Sequence, residues 1–276
     1  MKVSGRVAVI GVGTMGEAIV RGLKRRKLVA SSRLRGTVRT QTRAKELNET
    51  LGIRIGTDNA EAVRTADVVV FCLKPQNVVR TIQTLARSRC FAHQPLLISI
   101  AAGVTSREIE EAVGAPCPVI RAMPNTPCAI ARGTTVISRG KSARASHVRT
   151  AHAIFDPLGL TLELEEKHFN TVTGLSGSGP AFGYLMIESL ADGGVMMGLP
   201  RAVATLLAAR TLLGAAEMVL ASDRHPADLK DDVTTPAGCT IAGILALEDG
   251  KIRSTLARGV ERASRLAAQL GQDPQD

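Results

Sequence analysis

Aromatic residues are almost missing from this 276-residue chain: they make up 2% of it, with no tryptophan and one tyrosine, Tyr184. Its core must therefore be built from Ala, Val, Leu and Ile, and a base-stacking platform for nucleic acid has no rings to use. Cysteine has no pattern. The five (Cys72, Cys90, Cys117, Cys128 and Cys239) are scattered, odd in number and form no CxxC pair, which argues against a disulfide framework or a zinc site. The five His residues are equally dispersed, so no metal site is expected. No stretch of 18 uncharged apolar residues exists; the nearest candidate, residues 202–221, carries Arg210 and Glu217. A signal-peptide layout is lacking at the N-terminus, where Gly11 to Gly16 already read as part of the fold. The expectation is a soluble cytoplasmic protein with no membrane and no nucleic-acid partner.

Acid is missing from one long stretch. Between Arg21 and Lys45 stand ten basic residues and no Asp or Glu, which matches the whole net charge of +10. The rest of the chain balances. A solvated face accounts for most of these cations, with a few left to read a phosphate.

What is present begins at residues 6–22, RVAVIGVGTMGEAIVRG. Val7 to Ile10 suit a buried parallel strand. Gly11, Gly13 and Gly16 have the GxGxxG spacing, and Ala18, Ile19 and Leu23 begin a helical apolar stripe. Strand, glycines and helix in that order suit a dinucleotide pyrophosphate: one glycine for the tight turn, one for close approach of the phosphates, and one for helix–strand packing. The helix start adds free N–H groups.

Further along, strands are expected at residues 34–39, 53–55, 66–73, 95–100 and 119–122. Helices fall between them at 41–51, 58–63, 77–87 and 105–113. Gly52 should end one helix and Asp58 should start the next. This alternation predicts an α/β fold with a Rossmann-type, doubly wound parallel sheet, its ligands lying at the C-terminal strand ends. The turns at 11–16, 39–40, 74–75, 101–103 and 123–127 should meet there. Late strands are expected at 134–138 and 161–164, with a helix at 142–155. From about residue 165 the chain reads as helix upon helix, so the domains are placed at 1–164 and 165–276. The helix at 201–220 is apolar almost all round, so it needs burial on most sides, and packing against a second subunit would supply it. The tail at 272–276 reads as disordered.

Two helical-half stretches are dense in chemistry-bearing residues. TGLSGSGP at 173–180 reads chiefly as close helix packing. At 234–240, TTPAGCT leads into a new helix, where hydroxyls and free N–H groups could hold a carboxylate; the plainer reading is a capped helix. After the second strand, VRTQTR at 38–43 has no acid to hold the ribose hydroxyls of NADH. Arg39 and Thr40 could instead donate to the 2′-phosphate of NADPH, so NADPH is favoured and NADH is the lesser alternative.

With these motifs in view, the chain resembles the pyrroline-5-carboxylate reductase family over nearly its whole length. The resemblance is carried by GVGTMG (11–16), CLKP (72–75), IAAGV (100–104), IRAMPNTP (120–127), VTGLSGSGPAF (172–182), ADGGVMMGLPR (191–201) and HPADLKDDVTTPAGCTIAGILALE (225–248). It implies NADPH-dependent reduction of 1-pyrroline-5-carboxylate to proline, and an all-α dimerisation domain that assembles as a dimer or a larger ring such as a decamer. It also implies cofactor contacts at Ile10, Gly11, Val12, Gly13, Thr14, Met15, Gly16, Asn59, Cys72, Leu73, Lys74, Pro75, Ala102 and Asp232. Substrate contacts are implied at Glu166, Thr235, Gly238, Cys239 and Thr240, with Thr240 as the catalytic hydroxyl beside the ring nitrogen. Ala237 stands where the family commonly has glycine. Other dehydrogenases of similar build, which use a lysine on a long central helix, fit less well, since residues 184–210 hold no Lys.

Overall fold

The computed structural model describes residue 3 and residues 5–270; the tail at 272–276, read above as disordered, lies outside them. Eight strands form one sheet: β1 (Val7–Ile10), β2 (Leu34–Thr37), β3 (Arg54–Gly56), β4 (Val68–Phe71), β5 (Leu96–Ser99), β6 (Val119–Met123), β7 (Gly133–Arg139) and β8 (Gly159–Glu163). Their order is β3-β2-β1-β4-β5-β6-β7-β8. Through β6 every pairing is parallel, and this is the doubly wound order with its switch point between β1 and β4. The sheet then departs from the purely parallel expectation: β7 is antiparallel to β6, and β8 runs parallel to β7.

Six helices accompany the sheet: α1 (Thr14–Arg25), α2 (Gln41–Leu51), α3 (Asn59–Val63), α4 (Pro75–Arg87), α5 (Ser106–Val113) and α6 (Ala145–Phe155). Alternation along the strands divides the core in two. Val7 and Val9 of β1, with Val68 and Val70 of β4, pack with Ile19 and Leu23 of α1, Leu47 of α2 and Ile154 of α6. Ala8, Ile10, Val69 and Phe71 face the other way, towards Val63, Val78, Ile82 and Ile109 on α3, α4 and α5. Helix ends follow local chemistry. Thr40 caps α2 and Gly52 closes it in the left-handed conformation (φ 57°). Asp58 caps α3 through the N–H groups of Ala60 and Glu61. Thr105 and Glu108 form a capping box on α5.

Beyond the sheet lie α7 (Phe169–Val172), a π-turn at Thr173–Gly177, α8 (Gly179–Met196), α9 (Arg201–Ala221), α10 (Pro226–Asp232), α11 (Cys239–Asp249) and α12 (Ile252–Ala267). The chain forms two compact units. The first runs to Ser178 and resumes at Glu261; the second is Gly179–Val260. By contacts the first unit extends past residue 164, because Glu166, Phe169 and Ser176 bond or pack against residues of the sheet.

In the second unit α8 and α9 pack through small residues, with Ala191, Ala204 and Ala208 buried. A methyl group on Gly194 would stand 3.1 Å from the Ala204 Cβ. Most of their large apolar side chains stay exposed, among them Leu185, Met196, Leu206, Leu207, Leu213, Met218 and Leu220. By length and composition alone α9 could also cross a bilayer.

The packing of α1 on β1 leaves no space at Gly16, where a Cβ would lie 2.6 Å from the Gly11 carbonyl oxygen. Gly16→Ala should cost about 1–3 kcal/mol of stability through overpacking. Chemical denaturation of the variant against the parent measures it.

Candidate active site

The glycines after β1 differ in their constraints. Gly11 has φ +92°, and a Cβ there would meet the Cys72 carbonyl oxygen at 2.7 Å, so turn and close approach both require glycine. Gly13, at the N-cap of α1, would place a Cβ in open space. An anion can therefore approach the start of α1, where Thr14 is exposed and no side chain caps the helix. Ile10 and Val12 are buried beneath this turn, with Met15 partly exposed. Cys72 follows β4 and donates its N–H to Ile10; Lys74 and Pro75 then open α4. Enclosure of Cys72 pushes its thiol up to about 12, so it stays protonated at neutral pH.

Beside this turn lies a cleft of about 740 Å³ lined by Arg39, Thr57, Asn59, Leu73, Asn77 and Arg80, among others. The basic stretch now divides. Arg21 and Arg43 pair with Glu17 at 2.7 and 3.4 Å, Arg25 donates to the Pro157 carbonyl at 3.1 Å, and Lys24 donates to the Leu51 carbonyl. Arg39 makes no ion pair among the described residues and faces the cleft. Thr40 accepts from the Arg43 N–H at 3.3 Å.

On the other side of the switch point, Ala101–Gly103 follows β5, and Met123 ends β6. Ala102 is partly exposed, and Gly103 takes φ +75°. Both oxygens of Glu166 are engaged here. Its Oε1 accepts from the Ser106 N–H at 2.7 Å and from Arg121 Nη1 at 3.1 Å, and its Oε2 accepts from Ser106 Oγ at 2.5 Å. Arg121 is buried, with its guanidinium 4.7 Å from the centre of the Phe169 ring. Desolvation holds its guanidinium pKa down, against the pull of Glu166. The Asn125 amide donates to the Ser176 carbonyl at 3.2 Å, and its Oδ1 accepts from the Thr134 N–H at 2.8 Å. Gly177 lies so near Met123 that a Cβ would come within 2.7 Å of its Cε, which supports the packing reading of TGLSGSGP.

In the second unit, Gly238 is the N-cap of α11 without a side-chain cap. Neither the Cys239 nor the Thr240 N–H has a partner among the described residues, and the hydroxyls of Thr235 and Thr240 are unengaged there. Thr234, in contrast, donates its hydroxyl to the Lys230 carbonyl at 2.8 Å. A Cβ on Gly238 would meet Thr235 Oγ1 at 2.4 Å, so this turn is tight. Ala237 takes φ +54°, a conformation that glycine would adopt more easily. Asp232 is held in a two-pronged pair by Arg224 at 2.5 and 3.0 Å, which lowers its pKa.

A family model for pyrroline-5-carboxylate reductase dimerisation matches residues 166–270, and one for coenzyme F420-dependent NADP oxidoreductases matches residues 6–103. Pyrroline-5-carboxylate reductase from Arabidopsis thaliana is 40% identical to this chain, covering 97% of it and 96% of the relative. The reductase from Synechocystis is 41% identical over 96% of this chain and 98% of its own length.

The chain belongs to the pyrroline-5-carboxylate reductase family.

Solved members share its fold. Plasmodium falciparum pyrroline carboxylate reductase, solved with NADP bound, superposes with a TM-score of 0.89 at 29% identity, covering 99% of this chain and 100% of that one. The Coxiella burnetii enzyme gives 0.88 at 30% identity over 98% and 100%. Like these reductases, the chain is an oxidoreductase with a Rossmann-type unit and a helical dimerisation region.

Sequence reasoning missed Asn77, Arg80, Ser106 and Arg121. Asn77 and Arg80 stand three residues apart on one face of α4, directly after Lys74–Pro75, a spacing that could have found them. Arg121 shows itself as a charge inside an otherwise apolar strand.

The thiols should differ in reactivity. Cys239 is exposed, whereas Cys90, Cys117 and Cys128 are buried and burial raises their pKa values. At pH 8 a maleimide should modify Cys239 first and the buried Cys90, Cys117 and Cys128 last in the native protein. Mass spectrometry of timed samples reads this out.

Proposed function

We propose that the chain reduces 1-pyrroline-5-carboxylate to L-proline with NADPH, as the last step of proline biosynthesis. The whole-length likeness supports the reaction. One geometric observation carries the assignment of residues: the first turn of α11 presents the free N–H groups of Cys239 and Thr240 beside unengaged Thr hydroxyls. An anionic carboxylate fits such a helix start.

The residues present also fit the cofactor. The bare N-terminus of α1 and the open space at Gly13 suit a pyrophosphate, with Ile10 to Gly16, Asn59, Cys72 to Pro75 and Ala102 around it. Arg39, free of ion pairs among the described residues, suits a 2′-phosphate, with Thr40 beside it. Asp232 belongs to the same proposed set through its place in the family signature. When bound, NADPH supplies a hydride to the C=N carbon. The chain's own residues bind and orient. The N–H groups of Cys239 and Thr240 hold the substrate carboxylate, with Thr235 and Gly238 close to it (the Gly238 N–H itself donates to the Thr235 carbonyl at 3.0 Å), and the Thr240 hydroxyl hydrogen-bonds the ring nitrogen. Orientation of this kind supplies up to about 7–11 kcal/mol of barrier reduction. Nucleotide binding belongs to residues 1–164, and substrate binding and dimerisation to 165–276. The enzyme works in the cytoplasm.

Loss of NADPH absorbance on adding the imine tests the reaction; no turnover would overturn it. Arg39→Ala should raise the KM for NADPH by about 10-fold or more, the scale of one charge-assisted hydrogen bond, and change the KM for NADH much less. Thr240→Ala should lower kcat/KM for the imine by about 10-fold, while Thr240→Ser retains most activity. Unchanged kinetics in Thr240→Ala would remove the hydroxyl from the mechanism.

The exposed apolar faces of α8 and α9 are the proposed subunit interface, in a dimer or a larger ring such as a decamer. Obligate interfaces of this kind commonly bury more than about 2,000 Å². Light scattering at low micromolar concentration should give at least a dimer, and a fully active monomer would refute it.

A further inference from the structure

The cleft of about 740 Å³ beside the glycine turn has two walls. The turns after β2 and β3 build one, with Arg39, Thr57 and Asn59. The other is a polar face of α4, where Asn77, Arg80 and Thr84 recur at helical spacing. Val78 and Ile82, on the opposite face of α4, are buried against the sheet. The rotation of the helix is therefore fixed, and Arg80 stays on the cleft side. A dinucleotide laid from the start of α1 towards β2 puts its adenosine half here, because the residues after β2 read the ribose 2′ position.

Charge in the cleft is arranged for an anion. Arg39 and Arg80 are the cations of its lining, and they enter from opposite walls. Arg80 is exposed, and its guanidinium has neither ion pair nor hydrogen bond among the described residues. Thr84 Oγ1 donates only to its backbone carbonyl, at 2.9 Å. Asp58 is the acid of the lining, and its Oδ1 accepts from the N–H groups of Ala60 and Glu61 at 2.8 and 3.2 Å. The start of α3 thus compensates that carboxylate. Two uncompensated guanidinium groups suit a phosphate monoester, which carries a charge of about −1.5 to −2 at pH 7 and accepts from several donors at once. The neutral ribose hydroxyls of NADH give neither cation a partner.

We infer that Arg80 is a specificity-determining residue: it is the second cation for the 2′-phosphate of NADPH, opposite Arg39, and it favours NADPH over NADH. This rests on the NADPH site proposed above and adds a side chain of α4 to it.

The test measures dissociation constants for NADPH and NADH by nicotinamide fluorescence, without imine, in the parent, Arg80→Ala, Arg80→Lys and Arg87→Ala. Arg87 is an exposed cation in the last turn of α4 that does not line the cleft, so it reports the general effect of losing a charge. Arg80→Ala should weaken NADPH by about 10-fold, the scale of one charge-assisted contact, with NADH held within about 2-fold. Arg80→Lys keeps the charge and should lose less. Arg87→Ala should leave both nucleotides within about 2-fold. Unchanged NADPH affinity in Arg80→Ala would overturn the inference. Equal losses of NADPH and NADH would do the same, since they mark contact with the adenine or a loosened α4. So would a loss in Arg87→Ala as large as in Arg80→Ala, which marks the overall field of the protein. Parent turnover of the imine is assayed alongside. Its absence would sink the proposed reaction, while the NADPH-to-NADH ratio in the variants would still decide the role of Arg80.

Discussion

The close approach of α1 to β1 is the constraint on which the rest of the site depends. Gly16 sits against the carbonyl of Gly11, and Gly11 sits against the carbonyl of Cys72. These contacts leave room for hydrogen only. They bring the start of α1 to the switch point between β1 and β4, where the free N–H groups of the helix meet the ends of two buried strands. The other end of α1 is fixed in the same way, since a Cβ on Gly22 would collide with Leu158. The helix is held between β1 and the turn before β8, so an anion at its N-terminus meets a rigid cradle.

Charge in this protein is mostly a surface property. Pairs such as Arg21–Glu17, Arg107–Glu111 and Arg265–Glu261 are solvent-exposed and contribute little, about 0–1 kcal/mol each. Arg121–Glu166 differs in kind. Its cation has left water, and Glu166, the Phe169 ring and the nearby Glu108 carboxylate compensate for that. The net charge of +10 therefore says little about the fold. Arg121 is the buried guanidinium whose partner the fold fixes, and Arg39 is a surface guanidinium with no ion pair among the described residues, for which a 2′-phosphate is the proposed partner.

The first unit was legible where each residue carried its own local reason. Gly11, Gly13 and Gly16 announced the turn, Asp58 and Gly52 marked helix ends, and the apolar runs of β4 and β5 could be nothing but buried strands. The reversal at β7 was not legible, because hydrophobic periodicity is the same in either strand direction. Glu166 was picked out by family likeness, but its partners Ser106 and Arg121 lie 60 and 45 residues away, beyond any local pattern. Thr240 was picked out with its neighbours; that its hydroxyl is unengaged could come only from coordinates. For α9, composition gave an apolar helix and could not say what covers it.

The reversed strand has a consequence for how the chain reaches its helical half. β7 and β8 both run back from the ligand edge of the sheet, and Leu164 is still bonded to Ile137, level with the middle of β6. The chain regains that edge along residues 166–178, touching Ser106, Arg121, Met123 and Asn125 on the way. It is a tether without slack. A residue inserted between Glu166 and Ser176 would shift every later contact out of register. Variation in chain length among working versions of this fold should therefore collect on either side of this segment and avoid it.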